Sequence, residues 1–127
     1  MSNAPDPLSA CVLGEGEVKL VFKVDDRVTN AGTFIVNKED HTLGNLLRKQ
    51  LLMDEAVLFA GYAHYHPLNN AIELRVQTKP DTLSPGEALR AAIASLRDQS
   101  LHIGEVFNAE FERFESEQRA ATGAAYK

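Results

Sequence analysis

The chain has 127 residues, 44% of them hydrophobic, which predicts one globular domain with one core. Thirteen basic residues against eighteen acidic ones, with a pI near 5.3, argue against direct nucleic-acid binding, because phosphate recognition needs an electropositive surface. The single cysteine, Cys11, excludes an internal disulfide and favours a reducing compartment, and no membrane span or secretory signal is recognisable, so we expect a soluble cytoplasmic or nuclear protein.

Residues 1–16 are predicted to form a loosely attached arm, because they carry Pro5, Pro7 and Gly14 and no apolar periodicity. The GEGE stretch at 14–17 does not indicate a phosphate loop, since two carboxylates stand where backbone N–H groups would meet an anion.

The first strand is predicted from an alternation that places Val18, Leu20, Phe22 and Val24 on one half-buried face. The turn-rich stretch DDRVTNAG follows, and TFIVN at 33–37 has the β-branched and aromatic content of a second strand. The two strands should form a hairpin.

The stretch EDHTLGNLLRKQLL at 39–52 predicts a helix from about Thr42 to Met53 with Asp40 as its N-cap. Gly44 in its first turns and the off-face Leu52 suggest that a second surface approaches closely. The predicted apolar face consists of Leu43, Leu46, Leu47 and Leu51.

Asp40, His41 and Thr42 also allow a catalytic interpretation, in which the chain is a small stand-alone α+β enzyme. We favour the capping interpretation, because catalytic triads are assembled from distant positions and no nucleophile elbow is present.

A second hairpin is predicted from VLFAGYAHYH at 57–66 and AIELRVQT at 71–78, with turn residues between them. His64 and His66 would point to the same side of a strand, so metal binding is conceivable. Zinc sites use three or four ligands, however, and no third one is close in sequence.

The last helix begins with a capping box, in which Ser84 is the N-cap, Pro85 occupies N1 and Glu87 occupies N3. Its apolar residues share one arc of about 100°, interrupted by Ser100. They are Leu89, Ala92, Ile93, Leu96, Ile103, Phe107, Phe111 and Phe114.

A helix from Pro85 to Gln118 would be roughly 50 Å long, which exceeds the width of a small domain. Its second half should therefore leave its own core and need a partner helix, because three exposed phenylalanines make an unusually large apolar patch. The alternative is a bend near Gly104 that folds the stretch from Phe107 to Phe114 back onto the sheet.

Four motifs carry a family resemblance: EDHTLGNLLRKQLL, FAGY at 59–62, HPL at 66–68 and RVQT at 75–78. In that order and spacing they resemble the smaller alpha-like subunit of RNA polymerase, over most of the chain. The polymerase II branch, the archaeal L subunit and the counterpart shared by polymerases I and III are the relatives. FAGY and RVQT favour polymerase II, whereas Tyr65 stands where relatives read proline.

The resemblance implies an α+β fold of ββαββα order, with an antiparallel four-stranded sheet, one short helix and a long C-terminal helix. It implies that residues 17–118 form an alpha-like dimerisation domain, which lies between the N-terminal arm at 1–16 and a flexible tail at 119–127 that the composition of those segments predicts. It also implies a set of partner-facing residues: His41, Leu43, Gly44, Leu47, Leu51, Phe59, Gly61, Tyr62, Ile103, Phe107, Phe111 and Phe114.

As a member of this family the chain is expected to be a nuclear, non-catalytic core subunit of DNA-directed RNA polymerase II, with no cofactor and no metal. The resemblance implies a heterodimer with the larger alpha-like, third subunit. That heterodimer would serve as the assembly platform for the second-largest subunit and the small subunits ten and twelve. The equivalent subunit of polymerases I and III is the alternative.

Overall fold

The computed structural model describes residues 4–124. Two compact units divide the chain, Met1–Ile93 and Ala94–Lys127, and each is described separately. The elements are a one-turn 3-10 helix at Pro7–Ala10, β1 (Leu20–Val24), β2 (Ala31–Asn37), α1 (His41–Leu52), β3 (Val57–Ala63), β4 (Ala71–Thr78) and α2 (Pro85–Ala124). The predicted α+β class and ββαββα order are confirmed.

The first unit contains one antiparallel sheet with the strand order β1-β2-β4-β3. The predicted hairpins β1–β2 and β3–β4 are both present, and antiparallel pairing of β2 with β4 joins them. Strand β4 therefore lies inside the sheet, and its alternate residues Ile72, Leu74 and Val76 are completely buried. Opposite them on the same face lie Val36, Phe34 and Gly32 of β2.

The core of this unit forms on that face of the sheet. Leu47 and Leu51 of α1 are 3% and 1% exposed, and Leu89 in the first turns of α2 is 4% exposed. These helical side chains complete the buried apolar set, as the periodicity of both helices predicted. The side-chain hydroxyl of Thr78, at the end of β4, is also buried there and has no hydrogen-bond partner within residues 4–124.

Both predicted helix caps are present. The Thr42 backbone N–H donates to Asp40 Oδ1 at 2.9 Å, which starts α1 at His41. At the start of α2 the Ser84 N–H donates to Glu87 Oε2 at 2.8 Å, and the Glu87 N–H donates back to Ser84 Oγ at 3.3 Å. These bonds satisfy first-turn donors that the helices themselves leave unpaired.

Strand β1 differs from its prediction. It begins at Leu20 rather than Val18, and all five of its residues are exposed, whereas the alternation predicted a half-buried face. The physical reason is that α1 packs on β3 and β4, at the other side of the sheet, and does not cover β1. Its Phe22 ring stacks on Phe34 at a centroid distance of 4.6 Å yet remains 44% exposed.

The connections also correct two details. Strand β3 ends at Ala63 instead of His66, because both histidines form hydrogen bonds in the turn that follows. His64 Nε2 lies 2.9 Å from the Asn69 carbonyl oxygen. The Leu68 N–H donates to His66 Nδ1 at 3.1 Å. The N-terminal arm, predicted to lack regular structure, contains the 3-10 turn that Asp6 caps.

Helix α2 is continuous over 40 residues. The alternative of a bend at Gly104 is wrong, because the helix continues through that residue. The helix also runs past the predicted end at Gln118 as far as Ala124, since Ala120 and Ala121 are strong helix formers. The boundary of a tail at residue 119 is thus not marked by the end of the helix.

Candidate partner interface

The start of α1 and the end of β3 position the first group of candidate residues. His41 Nδ1 lies 2.9 Å from the Tyr62 hydroxyl, and the two rings meet edge to face at 5.6 Å. The His41 imidazole also meets the His64 ring at 5.2 Å. The imidazole thus contacts β3 rather than the neighbouring carboxylate, and this geometry forms no nucleophile–base pair of the kind that a hydrolase requires.

Asp40 serves as a helix cap in this arrangement. Hydrogen bonds from the Thr42 backbone and hydroxyl hold the pKa of the Asp40 carboxyl below its usual value, and the nearby imidazoles of His41 and His64 add to the effect. The cap of α1 is therefore most effective when the Asp40 carboxylate is ionised.

Gly44 is required by the ring that packs on it. A Cβ at Gly44 would lie 2.5 Å from Cδ2 of Tyr62, closer than any real contact. The second surface that the glycine predicted is therefore present, and the chain's own Tyr62 supplies it. This contact fixes α1 against β3 and orients the Tyr62 hydroxyl toward His41.

The candidate residues of the first unit do not share one surface. Gly44, Leu47 and Leu51 are buried within the chain, so they can affect an interface only by holding α1 in place. At the surface of α1, His41 is exposed and Leu43 is half-buried. The assignment of these residues to a partner stays a prediction.

Phe59 and Gly61 lie on the opposite face of the sheet from Tyr62. They pair with Gln77 and Arg75 of β4, whose side chains point away from the core, and successive strand residues alternate between faces. The Phe59 ring covers Gly61 so closely that a Cβ there would lie 2.9 Å from Phe59 Cζ. A partner bound through α1, on the face of Tyr62, would not also contact Phe59 and Gly61.

The sequence did not single out an apolar groove beside β1. Leu20 and Phe22 are each 44% exposed, and Ile93 of α2 is 49% exposed. With Phe34 and Leu89 they line a groove of about 330 Å³. Leu46 of α1 is also 48% exposed, although the periodicity placed it on the core face. The groove residues are exposed because little of the chain covers β1, and sequence alternation cannot reveal that.

The second unit carries the largest exposed apolar surface among the candidate residues. Ile103, Phe107, Phe111 and Phe114 are all more than half exposed and follow one face of α2. The rings of Phe107 and Phe111 stack with a centroid distance of 6.3 Å. We call these four residues the phenylalanine stripe. A stripe of this kind on a helix is typical of a seam for a second helix.

Other site types find little support in residues 4–124. Within that range no group of three or more His, Cys, Asp or Glu residues is placed to hold a metal ion. No helix of the described chain is long and apolar enough to cross a membrane.

Comparisons with known proteins agree with this geometry. The chain is 49% identical over 94 residues to a probable DNA-directed RNA polymerase II subunit RPB11 of Caenorhabditis briggsae, covering 74% of this chain and 75% of that protein. It is 40% identical over 94 residues to the RNA polymerase II subunit rpb11 of Dictyostelium discoideum, covering 74% and 78%.

A solved structure shows the same fold. Subunit L of the DNA-directed RNA polymerase of Thermoplasma acidophilum superimposes with a TM-score of 0.63 at 27% identity, covering 78% of this chain and 96% of that one. The family described as the RNA polymerase Rpb3/Rpb11 dimerisation domain matches residues 31–105, which comprise β2 through the first half of α2. The chain therefore belongs to the Rpb3/Rpb11 dimerisation-domain family of RNA polymerase subunits.

Proposed function

We propose that this chain is the smaller alpha-like subunit of DNA-directed RNA polymerase II, corresponding to its eleventh subunit, and that it acts by pairing rather than by catalysis. Its role is to form a heterodimer with the larger alpha-like, third subunit. The phenylalanine stripe is the observation that carries the proposal, because it exposes more apolar helix than an isolated soluble protein usually tolerates.

The pairing proposal assigns distinct tasks to the exposed surfaces. The phenylalanine stripe provides the long helical seam. The exposed His41 and the half-buried Leu43, at the start of α1, supply a separate contact on the first unit. Such a division gives a large apolar interface, which is the usual character of obligate complexes.

The heterodimer in turn is proposed to support assembly of the polymerase. The second-largest subunit and the small subunits ten and twelve dock on it, and the complex works in the nucleus. The polymerase II names of the curated relatives support this branch over the subunit shared by polymerases I and III.

Co-expression tests the proposal. Expressed alone, the chain should self-associate or bind chaperones; expressed with the larger alpha-like subunit of the same organism, it should give a soluble one-to-one complex, measured by size-exclusion chromatography with light scattering. A tagged chain should also recover the large polymerase subunits from nuclear extract, identified by mass spectrometry. A stable monomer that does not bind the larger subunit would refute the pairing function.

A further inference from the structure

The phenylalanine stripe is bordered by carboxylates on both sides. At about 100° per residue, Glu110, Glu115 and Glu117 lie about 50 to 90° from the centre of the stripe, whereas Arg113 and Arg119 lie about 110 to 130° from it. Each acid is thus closer to the stripe than the arginine that pairs with it. A second helix laid on the stripe would meet the carboxylates first.

The arginines do not cancel this charge. Arg113 is shared between two carboxylates, with Nη2 2.8 Å from Glu110 Oε2 and Nε 3.6 Å from Glu117 Oε1. Both glutamates stay exposed, at 59% and 67%. Residues 94–124 contain six carboxylates against three arginines, so this segment as a whole is negative. The face that is ready for an apolar partner is therefore also an acidic one.

A shallow, open groove lies on the surface of α2 beside the stripe. It has a volume of about 480 Å³ and is lined by His102, Ile103, Val106, Phe107 and Glu110. An arginine or lysine can lay its aliphatic stem along such an apolar floor while its charge remains at the polar rim. Glu110 pairs with Arg113 but remains exposed, so its carboxylate can also receive that charge.

We propose that the phenylalanine stripe docks an apolar helix whose own borders carry lysine or arginine, with one basic side chain lying in the groove against Glu110. The same border disfavours a helical seam between two copies of this chain, because like charges would face each other along it, so self-association of the isolated chain would involve other exposed apolar surfaces such as β1. The inference rests on the proposed function, since the larger alpha-like subunit supplies that helix, and it adds the chemistry by which the partner is chosen.

The experiment reverses the border charge and compares it with the same reversal elsewhere on the helix. The test variant is Glu110→Lys with Glu117→Lys in the full chain. The matched control is Glu105→Lys with Glu112→Lys, which changes the net charge equally on the side of α2 about 140 to 170° from the stripe centre. The dissociation constant for the larger alpha-like subunit is measured by titration at low and high salt, and circular dichroism compares the helix content of all forms.

The border reversal should raise the dissociation constant roughly five- to thirty-fold at low salt, and the control should change it less than about two-fold. High salt should reduce the difference, because exposed charges are screened beyond about 10 Å at 0.1 M. If the lysine variant loses helix, the neutral pair Glu110→Gln with Glu117→Gln should still weaken binding, by a smaller factor.

Two failures are distinguishable. Equal dissociation constants for the border and control variants, with wild-type binding intact, would overturn the charge proposal and leave the pairing function standing. Tighter binding by the border variant would overturn it as well. A wild-type chain that does not bind the larger subunit at all would refute the pairing function and this inference together.

Discussion

A substitution at Phe107 should weaken binding of the partner without destabilising the chain itself. The side chain is 67% exposed, so replacing it should hardly affect the folding of the chain by itself. A phenylalanine can bury about 150 to 250 Å², so a partner helix can remove roughly 100 to 170 Å² of Phe107 from water, worth about 2.5 to 4 kcal/mol at about 25 cal/mol/Å². Phe107→Glu should lose this contribution and also place an unpaired carboxylate in the seam.

The expected total of at least about 4 kcal/mol raises the dissociation constant of the heterodimer roughly a thousand-fold. Co-purification with the larger alpha-like subunit and thermal unfolding of the chain alone are the two assays. Glu112→Gln, on the other side of α2, is the control and should change neither by more than about 0.5 kcal/mol. Equal losses of binding from the two variants, or a large fall in the melting temperature of free Phe107→Glu, would refute the proposed facing of the helix.

Three further changes test the first unit. Gly44→Ala should lower the free energy of unfolding by about 1 to 3 kcal/mol, measured in urea, because its Cβ collides with Tyr62, whereas Gly86→Ala, with no atom within 4 Å of its Cβ, should be neutral or stabilising. Thr78→Val should raise the free energy of unfolding by about 1 kcal/mol, because it removes a buried hydroxyl that lacks a partner among residues 4–124; a loss of stability would contradict that reasoning. Hydrogen bonds from the Ser84 backbone and hydroxyl lower the pKa of Glu87. The stabilisation is therefore complete above the ordinary, unfolded pKa of this carboxyl and is lost as the pH falls through the lower folded pKa. The urea midpoint of Glu87→Gln should therefore fall less between pH 6 and pH 3 than that of the wild type. The same fall in both proteins would show that the capping carboxylate does not contribute to stability.

Features of the fold that depend on neighbouring residues were predictable. The caps at Asp40 and Ser84 follow from side chains that reach N–H groups two or three residues away, and the structure contains both. The four strands and their pairing into hairpins follow from alternation and from turn residues between them. The exposed stripe of α2 follows from the length of the apolar pattern compared with the width of one domain.

Features that depend on the arrangement of the sheet were not predictable. Alternation in β1 indicates two faces, but it does not show how far each face stays exposed in the first unit, where Leu20 and Phe22 are each 44% exposed and Val21 is 39% exposed. The distribution of Phe59 and Tyr62 over opposite faces depends on the register with β4, in which a shift occurs between Val57 and Phe59. The contact of Tyr62 with Gly44 joins residues 18 positions apart, and the glycine showed only that some close neighbour was required.

The exposed edge strand affects how the cell must supply this subunit. Among the residues that the structure describes, no strand pairs with the outer edge of β1. The strand exposes Leu20 and Phe22 on one face and Val21 on the other, and Lys23 is its only charged residue. Such an edge readily pairs with other strands, so surplus copies would be prone to aggregation and to capture by chaperones and proteases. We therefore expect the steady-state amount of this chain to follow the synthesis of its partner, with unmatched copies short-lived.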